Sequence, residues 1–362
     1  NQTYIMLHKA TVKTLENVVV RFSGDSGDGM QLAGNIFSNV SAGIGDQIST
    51  FPDYPAEIRA PQGTLSGVSG FQVHIGKGVH TPGDQADVLV AMNPAALKRH
   101  ACFLRKGGVA IVDIDCFREQ DLKKALYQTN EPYKEIGLDA QVVEVPISSM
   151  VKSALADSGL DLKAILRCKN MFALGLVCWL FDRPLDAALH HLQNKFAKKP
   201  AIFEANAKVM QAGYDYGNNI HASVNTYRIE SGDAVPGIYT DVNGNTATAW
   251  GLIYASEKSG RPLFLGSYPI TPATDILHEL AKRKDLGVKA CQMEDEIAGI
   301  CSAIGASFAG DLAATTTSGP GLALKSEGLG LAVMAELPLV VIDVQRGGPS
   351  TGLASGFIWQ KR

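Results

Sequence analysis

Cysteine is scarce in this chain, and none of it is arranged for local chemistry. Cys102, Cys116, Cys168, Cys178, Cys291 and Cys301 form no C-x-x-C pair and no cluster. Such spacing predicts plain buried thiols of a cytoplasmic protein and no metal ligand set, so any iron–sulfur cluster would come from another chain. An excess of charge of one sign is missing too: the net charge is −3, which gives nucleic acid or a membrane surface no bulk attraction. Long apolar runs are absent. The stretch 173–181 is far shorter than the roughly 20 residues that span a bilayer, and residues 1–14 lack the continuous apolar core of a secretory signal. What is there is a chain of 362 residues, 46% of them hydrophobic, enough for about two domains with real cores.

The stretch 260–351 repeats one strand–loop–helix phrase. Apolar strands are expected at 261–266, 288–292, 312–316 and 339–344, with helical patterns after the first three. Single-helix crossovers force a parallel sheet, so all four loops leave along the carboxyl edge, where open α/β sheets bind ligands. A Tyr/Thr loop (267–272), a carboxylate cluster (Glu294, Asp295, Glu296), a Gly-Pro-Gly turn (317–321) and an arginine loop (345–351) are thereby brought to one rim. Thr271 reads as an N-cap with Pro272 at the first helical position. Glu294 and Asp295 read as residues capping the next helix, which runs through Ile297, Ile300, Ile304 and Phe308.

Ahead of this lies another α/β unit. A buried strand at 16–22 meets the turn Ser23-Gly24-Asp25-Ser26-Gly27-Asp28-Gly29 and a helix over 30–41. The turn nearly fits three motifs and fails each. A P-loop needs Lys and Ser/Thr where Met30 and Gln31 stand, and a dinucleotide fingerprint finds Leu32 in place of glycine. A diphosphate–metal signature opening on Gly27-Asp28-Gly29 lacks its asparagine, since none occurs between Asn39 and Asn93. Two readings stay open: a turn that needs positive φ, or a phosphate cradle whose free N–H groups at Gly24, Ser26, Gly27 and Gly29 face the anion of a nucleotide-like ligand. Strands are expected at 70–75, 86–92 and 108–113, with an edge strand at 141–146. The polar stretch 49–64 reads as a loop. Helices are expected over 151–167, 170–180, 185–196 and 202–216. His190, His191, Lys195, Lys198 and Lys199 read as a solvated basic helix end. The organisation is therefore an α/β domain over 1–216, a linker over 217–234, and a doubly wound parallel-sheet domain over 235–362.

The motifs Tyr268-Pro269-Ile270-Thr271-Pro272 and Gln292-Met293-Glu294-Asp295-Glu296 resemble the α subunit of the 2-oxoacid:ferredoxin oxidoreductases. Gly237-Ile238-Tyr239 with Gly244-Asn245, Thr317-Ser318-Gly319-Pro320-Gly321 and Arg346-Gly347-Gly348-Pro349-Ser350-Thr351-Gly352 are similar to that family in the same order. Residues 24–29, Glu57-Ile58-Arg59-Ala60-Pro61 and Lys169-Asn170-Met171-Phe172-Ala173-Leu174-Gly175 resemble its γ subunit. A γ part fused ahead of an α part looks most like the 2-oxoglutarate-type enzymes. The resemblance implies a γ-type domain followed by the pyrimidine-binding domain of thiamine diphosphate, and oxidative decarboxylation of a 2-oxoacid with CoA to acyl-CoA, CO2 and reduced ferredoxin, or the reverse carboxylation.

The resemblance implies roles as well. Glu296 is the carboxylate against the pyrimidine nitrogen, with burial expected to raise its pKa. Thr271 is a hydroxyl near the pyrimidine and the substrate, and Arg346 is the fork for the 2-oxoacid carboxylate. Tyr268, Pro269, Ile270, Ser318 and Gly319 are further coenzyme contacts. A β subunit is implied to carry the diphosphate with its Mg2+ and a [4Fe-4S] cluster in an (αβ)2 heterotetramer. A further domain is implied beyond Leu353, so the chain is expected to be incomplete at its C-terminus. Two alternatives stay open: a pyruvate- or branched-chain-specific member, and a non-catalytic nucleotide-binding regulator built on the Gly24–Gly29 turn.

Overall fold

A computed structural model describes residues 12–54, 61–220, 226–230 and 237–345, with the backbone alone at 347–348 and 352–353. The chain divides into two compact units, Asn1–Ile238 and Tyr239–Arg362. Among the described residues, no helix is long and apolar enough to cross a membrane.

In the first unit the strands are β1 (Val12–Leu15), β2 (Asn17–Asp25), β3 (Gln47–Asp53), β4 (Val68–Gly76), β5 (Ala86–Ala91), β6 (Leu104–Asp113), β7 (Ala140–Val145) and β8 (Thr226–Ile229). Six of them form one sheet in the order β3-β4-β2-β5-β6-β7. The run β2-β5-β6-β7 is parallel, while β4 lies antiparallel to both β2 and β3. The chain leaves β2 toward one side and returns as β5 on the other, which makes the carboxyl ends of these two strands a topological switch point.

Three elements differ from expectation, the first being the helix expected over 151–167, which is two short helices, Ile147–Ala154 and Leu162–Leu166. Residues 47–53 form the edge strand β3, where Pro52 costs no inner ladder bond. The polar stretch expected as a linker contains β8, which pairs in parallel with β1 from Val12↔Thr226 to Leu15↔Ile229. Its apolar members find the core: Ile229 is buried and Tyr227 stacks on Phe181 at 5.6 Å. The helix Lys169–Leu180 is buried at every residue from Asn170 onward. It crosses the helix Pro200–Ile220 with main chains nearly touching, since a Cβ at Gly175 would strike the Met210 carbonyl and one at Gly213 the Phe172 carbonyl.

The second unit holds β9 (Leu263–Ser267), β10 (Lys289–Gln292), β11 (Leu312–Thr317) and β12 (Val340–Asp343), all parallel, in the order β10-β9-β11-β12. The four strands are those the apolar periodicity predicts, and β9 and β11 are central neighbours, so their carboxyl ends form a second switch point. Leu263, Leu265, Ile276, Leu277, Leu280 and Ala314 make its core. The helical pattern expected after the third strand is instead broken into Gly321–Leu324 and Ser326–Met334, with Lys325 between them. The cysteines also depart from the expectation of buried thiols. All are free, but only Cys168 and Cys178 are buried, while Cys102 and Cys301 are exposed.

Candidate active site

The four loops of the second unit were expected to meet at one rim, and three of them do so on one spot. At the end of β9, Tyr268 is buried, and its hydroxyl lies 3.0 Å from the Thr317 hydroxyl at the end of the adjacent β11. One residue earlier on each strand, the hydroxyls of Ser267 and Thr316 are also hydrogen-bonded. A Cβ at Gly321 would strike the Thr317 hydroxyl, come within 2.6 Å of the Tyr268 hydroxyl and within 3.2 Å of Glu296 Cγ. Glycine is thus the residue that lets the Gly-Pro-Gly turn, the tyrosine and the glutamate close together.

Glu296 is the first residue of the helix Glu296–Phe308 and is half-buried. Asp295 is the N-cap, its carboxylate accepting the Ala298 N–H at 2.8 Å, whereas Glu294 is exposed. Burial pushes the Tyr268 phenol well above its ordinary pKa. Hydrogen bonding to Glu296 and the charges of Glu296 and Asp343 add to this, while the Thr317 bond opposes it. Tyr268 therefore stays protonated and can donate.

Two residues carry weight here that the sequence did not mark. Lys325 is fully buried, and its ammonium donates to the main-chain carbonyl of Glu296 at 2.7 Å and to Thr315 Oγ1 at 3.1 Å. Asp343 ends β12, in register with Thr317. Both of its carboxylate oxygens are buried with no hydrogen-bond partner among the described residues, and so is Ser318 Oγ. A lysine inside a helical pattern reads as a solvent-facing residue, and an aspartate after an apolar strand reads as a cap. No local signal distinguished either.

Thr271 departs from expectation. It does not cap a helix: the Thr271–Pro272 bond is cis, and the helix begins at Thr274 with Ala273 at its N-cap. The turn closes on Thr274 instead, whose hydroxyl accepts the Ile270 N–H at 2.8 Å while its own N–H donates to the Ile270 carbonyl at 2.9 Å. Thr271 itself is exposed, and no hydrogen bond joins it to Glu296 among the described residues. Asn245 holds this loop from outside by donating to the Pro272 carbonyl at 3.0 Å. Pro269 is exposed, Ile270 half-buried, and Gly319 sits at φ 61° in the turn after Ser318. Arg346 lies outside the described residues, as do residues 57–60 of the γ-like motif.

In the first unit, Gly27 and Gly29 have φ of 101° and 78°, as the turn reading requires. The cradle reading needs correction, because the turn uses much of its own polarity. The N–H of Asp25 donates to Asp28 Oδ2, that of Ser26 to the Gly67 carbonyl and that of Asp28 to the Asp25 carbonyl. Only the N–H groups of Gly27 and Gly29 stay uncommitted in the turn among the described residues. Two carboxylates border them, both with raised pKa: Asp25 through burial and the charge of Asp28, Asp28 through burial.

Residues 19–216 match the family described as "Pyruvate ferredoxin/flavodoxin oxidoreductase". The chain belongs to this family. Residues 256–356 match a second family description, "Pyruvate flavodoxin/ferredoxin oxidoreductase, thiamine diP-bdg", over the segment that holds the Tyr268–Glu296–Thr317 cluster. Among its relatives, the 2-oxoglutarate oxidoreductase subunit KorA of Mycobacterium tuberculosis is 52% identical over 94% of this chain and 52% of its own length. The α subunit of 2-oxoacid:ferredoxin oxidoreductase 1 of Aeropyrum pernix is 27% identical over 93% of this chain and 56% of its own. A solved structure, the 2-oxoglutarate:ferredoxin oxidoreductase of Magnetococcus marinus with 2-oxoglutarate, coenzyme A and succinyl-CoA bound, superposes with a TM-score of 0.67. It is 31% identical, over 94% of this chain and 54% of that one. The chain thus spans about half the length of these relatives.

The residues of the second unit fit the aminopyrimidine half of thiamine diphosphate. A half-buried carboxylate suits a ring nitrogen that shares a proton, and the orphaned oxygens of Asp343 and Ser318 suit a ligand that brings N–H donors.

Proposed function

We propose that this chain is the coenzyme-pyrimidine side of a 2-oxoglutarate:ferredoxin oxidoreductase, which converts 2-oxoglutarate and CoA to succinyl-CoA, CO2 and reduced ferredoxin, or runs in reverse. The observation that carries the reading is the meeting of Tyr268, Glu296, Thr317 and Gly321 at a switch point within the segment matched to the thiamine family. The names of the relatives from M. tuberculosis and M. marinus favour 2-oxoglutarate over pyruvate or a branched-chain acid.

Bound thiamine diphosphate would supply a nucleophilic carbon and an electron sink. The protein's share is proton placement and exclusion of water. Glu296 holds a proton at the pyrimidine ring nitrogen, and Tyr268 backs its carboxylate by donating from the buried side. Thr271 turns its exposed hydroxyl to the substrate, and Arg346 binds the 2-oxoacid carboxylate as a planar fork. Gly27 and Gly29 offer the two uncommitted N–H groups to a phosphate of CoA. The diphosphate, its Mg2+ and a [4Fe-4S] cluster belong to a β subunit in a cytoplasmic (αβ)2 assembly that reduces ferredoxin. Division at 1–216, 217–234 and 235–362 assigns the CoA contact to a γ-type domain and the pyrimidine contact to the other.

The test is Glu296→Ala in the assembled enzyme. Assembly should persist while hydrogen–deuterium exchange at the coenzyme's reactive carbon and turnover both vanish. Unaltered turnover would refute the assignment, and product analysis with 2-oxoglutarate, pyruvate and branched-chain acids decides the substrate.

A further inference from the structure

We propose that Lys325 is a positioning residue for Glu296, fixing the main chain beneath it and supplying the buried counter-charge for its carboxylate. The inference rests on the function proposed above and adds to it a residue from a different loop.

Lysine is among the residues least often buried without a partner, yet Lys325 has no exposed surface. Three features account for its place. The break between the helices Gly321–Leu324 and Ser326–Met334 turns its side chain inward. Glycine at 299 leaves room for the ammonium, since a Cβ there would lie 3.3 Å from Nζ. The acceptors waiting inside are the Glu296 carbonyl and Thr315 Oγ1. The ammonium also faces the ring of Tyr268, 5.4 Å from its centroid. One cation therefore touches the backbone of the glutamate and the ring of the tyrosine that backs it.

The groups facing Lys325 are Glu296 and Cys301 from the helix Glu296–Phe308, its N-cap Asp295, and Tyr268. Burial lowers its pKa from 10.5 to about 8, against the opposing pull of Glu296, Asp295 and Cys301. An isolated ammonium in such a place is costly, and a purely structural role would be served as well by an apolar side chain. The sign of its pH effect follows. Below about pH 8 the folded and unfolded states both carry the proton; between there and 10.5 only the unfolded state does, so stability rises with pH across that window.

The experiment compares wild type, Lys325→Met, Lys325→Gln, Glu296→Gln and the double variant Lys325→Met/Glu296→Gln as assembled enzyme. Two quantities are read: the dissociation constant for thiamine diphosphate, and the thermal midpoint against pH with no coenzyme added. Lys325→Met is expected to weaken coenzyme binding by about tenfold, and by much less in the Glu296→Gln background, because contacting residues couple. The wild-type midpoint should rise through about pH 8 and beyond, and that rise should be missing in both Lys325 variants. Equal losses in both glutamate backgrounds, or an unchanged pH–stability profile in Lys325→Met, overturn the proposal. If Lys325→Met fails to assemble, Lys325→Gln, which keeps a donor without the charge, decides by the same two readings. Failure of wild type to bind thiamine diphosphate at all overturns the function proposed above instead, and the coenzyme-free pH profile still judges Lys325.

Discussion

Both units place a switch point at the carboxyl edge of a sheet, but they satisfy the buried charge there to different degrees. In the first unit most of the buried carboxylates meet a donor or a cation, although Asp25 Oδ1 and Asp46 Oδ2 accept no hydrogen bond among the described residues. Asp113 accepts from the Ser148 N–H and hydroxyl and lies 3.5 Å from the Lys169 ammonium. Asp53 takes Arg21 and His100, and His100 in turn meets Ser23 at 2.6 Å. The Cys116 thiol beside Lys169 is pushed up to about 11 by burial and stays protonated. In the second unit Asp343 has no donor on either oxygen among the described residues, and Lys325 holds its proton against burial. Groups that neighbours satisfy hold a fold together, whereas groups left wanting await something that is not part of the chain.

Substitutions can break this comparison. The largest effect is expected from Asp113→Ala, which strands Lys169 and should cost about 3 kcal/mol or more in denaturant unfolding. A loss under ~1 kcal/mol would show that the first edge is not held by its ion pair. Gly321→Ala comes next: its Cβ drives apart the buried Thr317 and Tyr268 and presses on Glu296, so coenzyme affinity should fall by at least about tenfold and unfolding should shift by about 1–3 kcal/mol through overpacking. Asp343→Asn should weaken coenzyme binding yet raise stability by up to about 1 kcal/mol, because the carboxylate finds no donor among the described residues. A stability loss there would mean that Asp343 is a structural residue. The smallest effect is Tyr268→Phe, expected to cost about 1 kcal/mol through one hydrogen bond, read as a small drop in both midpoint and affinity.

Much of this was legible one element at a time. The four strands of the second sheet announced themselves as short apolar runs, Asp295 as a cap before Ile297 and Ile300, and Gly27 and Gly29 as a turn. β3 and β8 were missed because an edge strand with Pro52 and a four-residue strand in polar surroundings carry too little periodicity. Thr271 was misplaced because a Thr-Pro pair reads as a helix start whether or not the chain turns first.

The sequence by itself determined the order of strands and helices, and so which loops must share an edge, because crossovers between parallel strands allow only one sense of return. Only the tertiary structure decided which side chains at that edge are satisfied. The inward turn of Lys325 and the Tyr268–Thr317 bond between adjacent strands depend on partners up to tens of residues away, and the lack of a donor for Asp343 among the described residues depends on how its surroundings pack. Burial and pairing are properties of the packed chain, and no local pattern of residues encodes them.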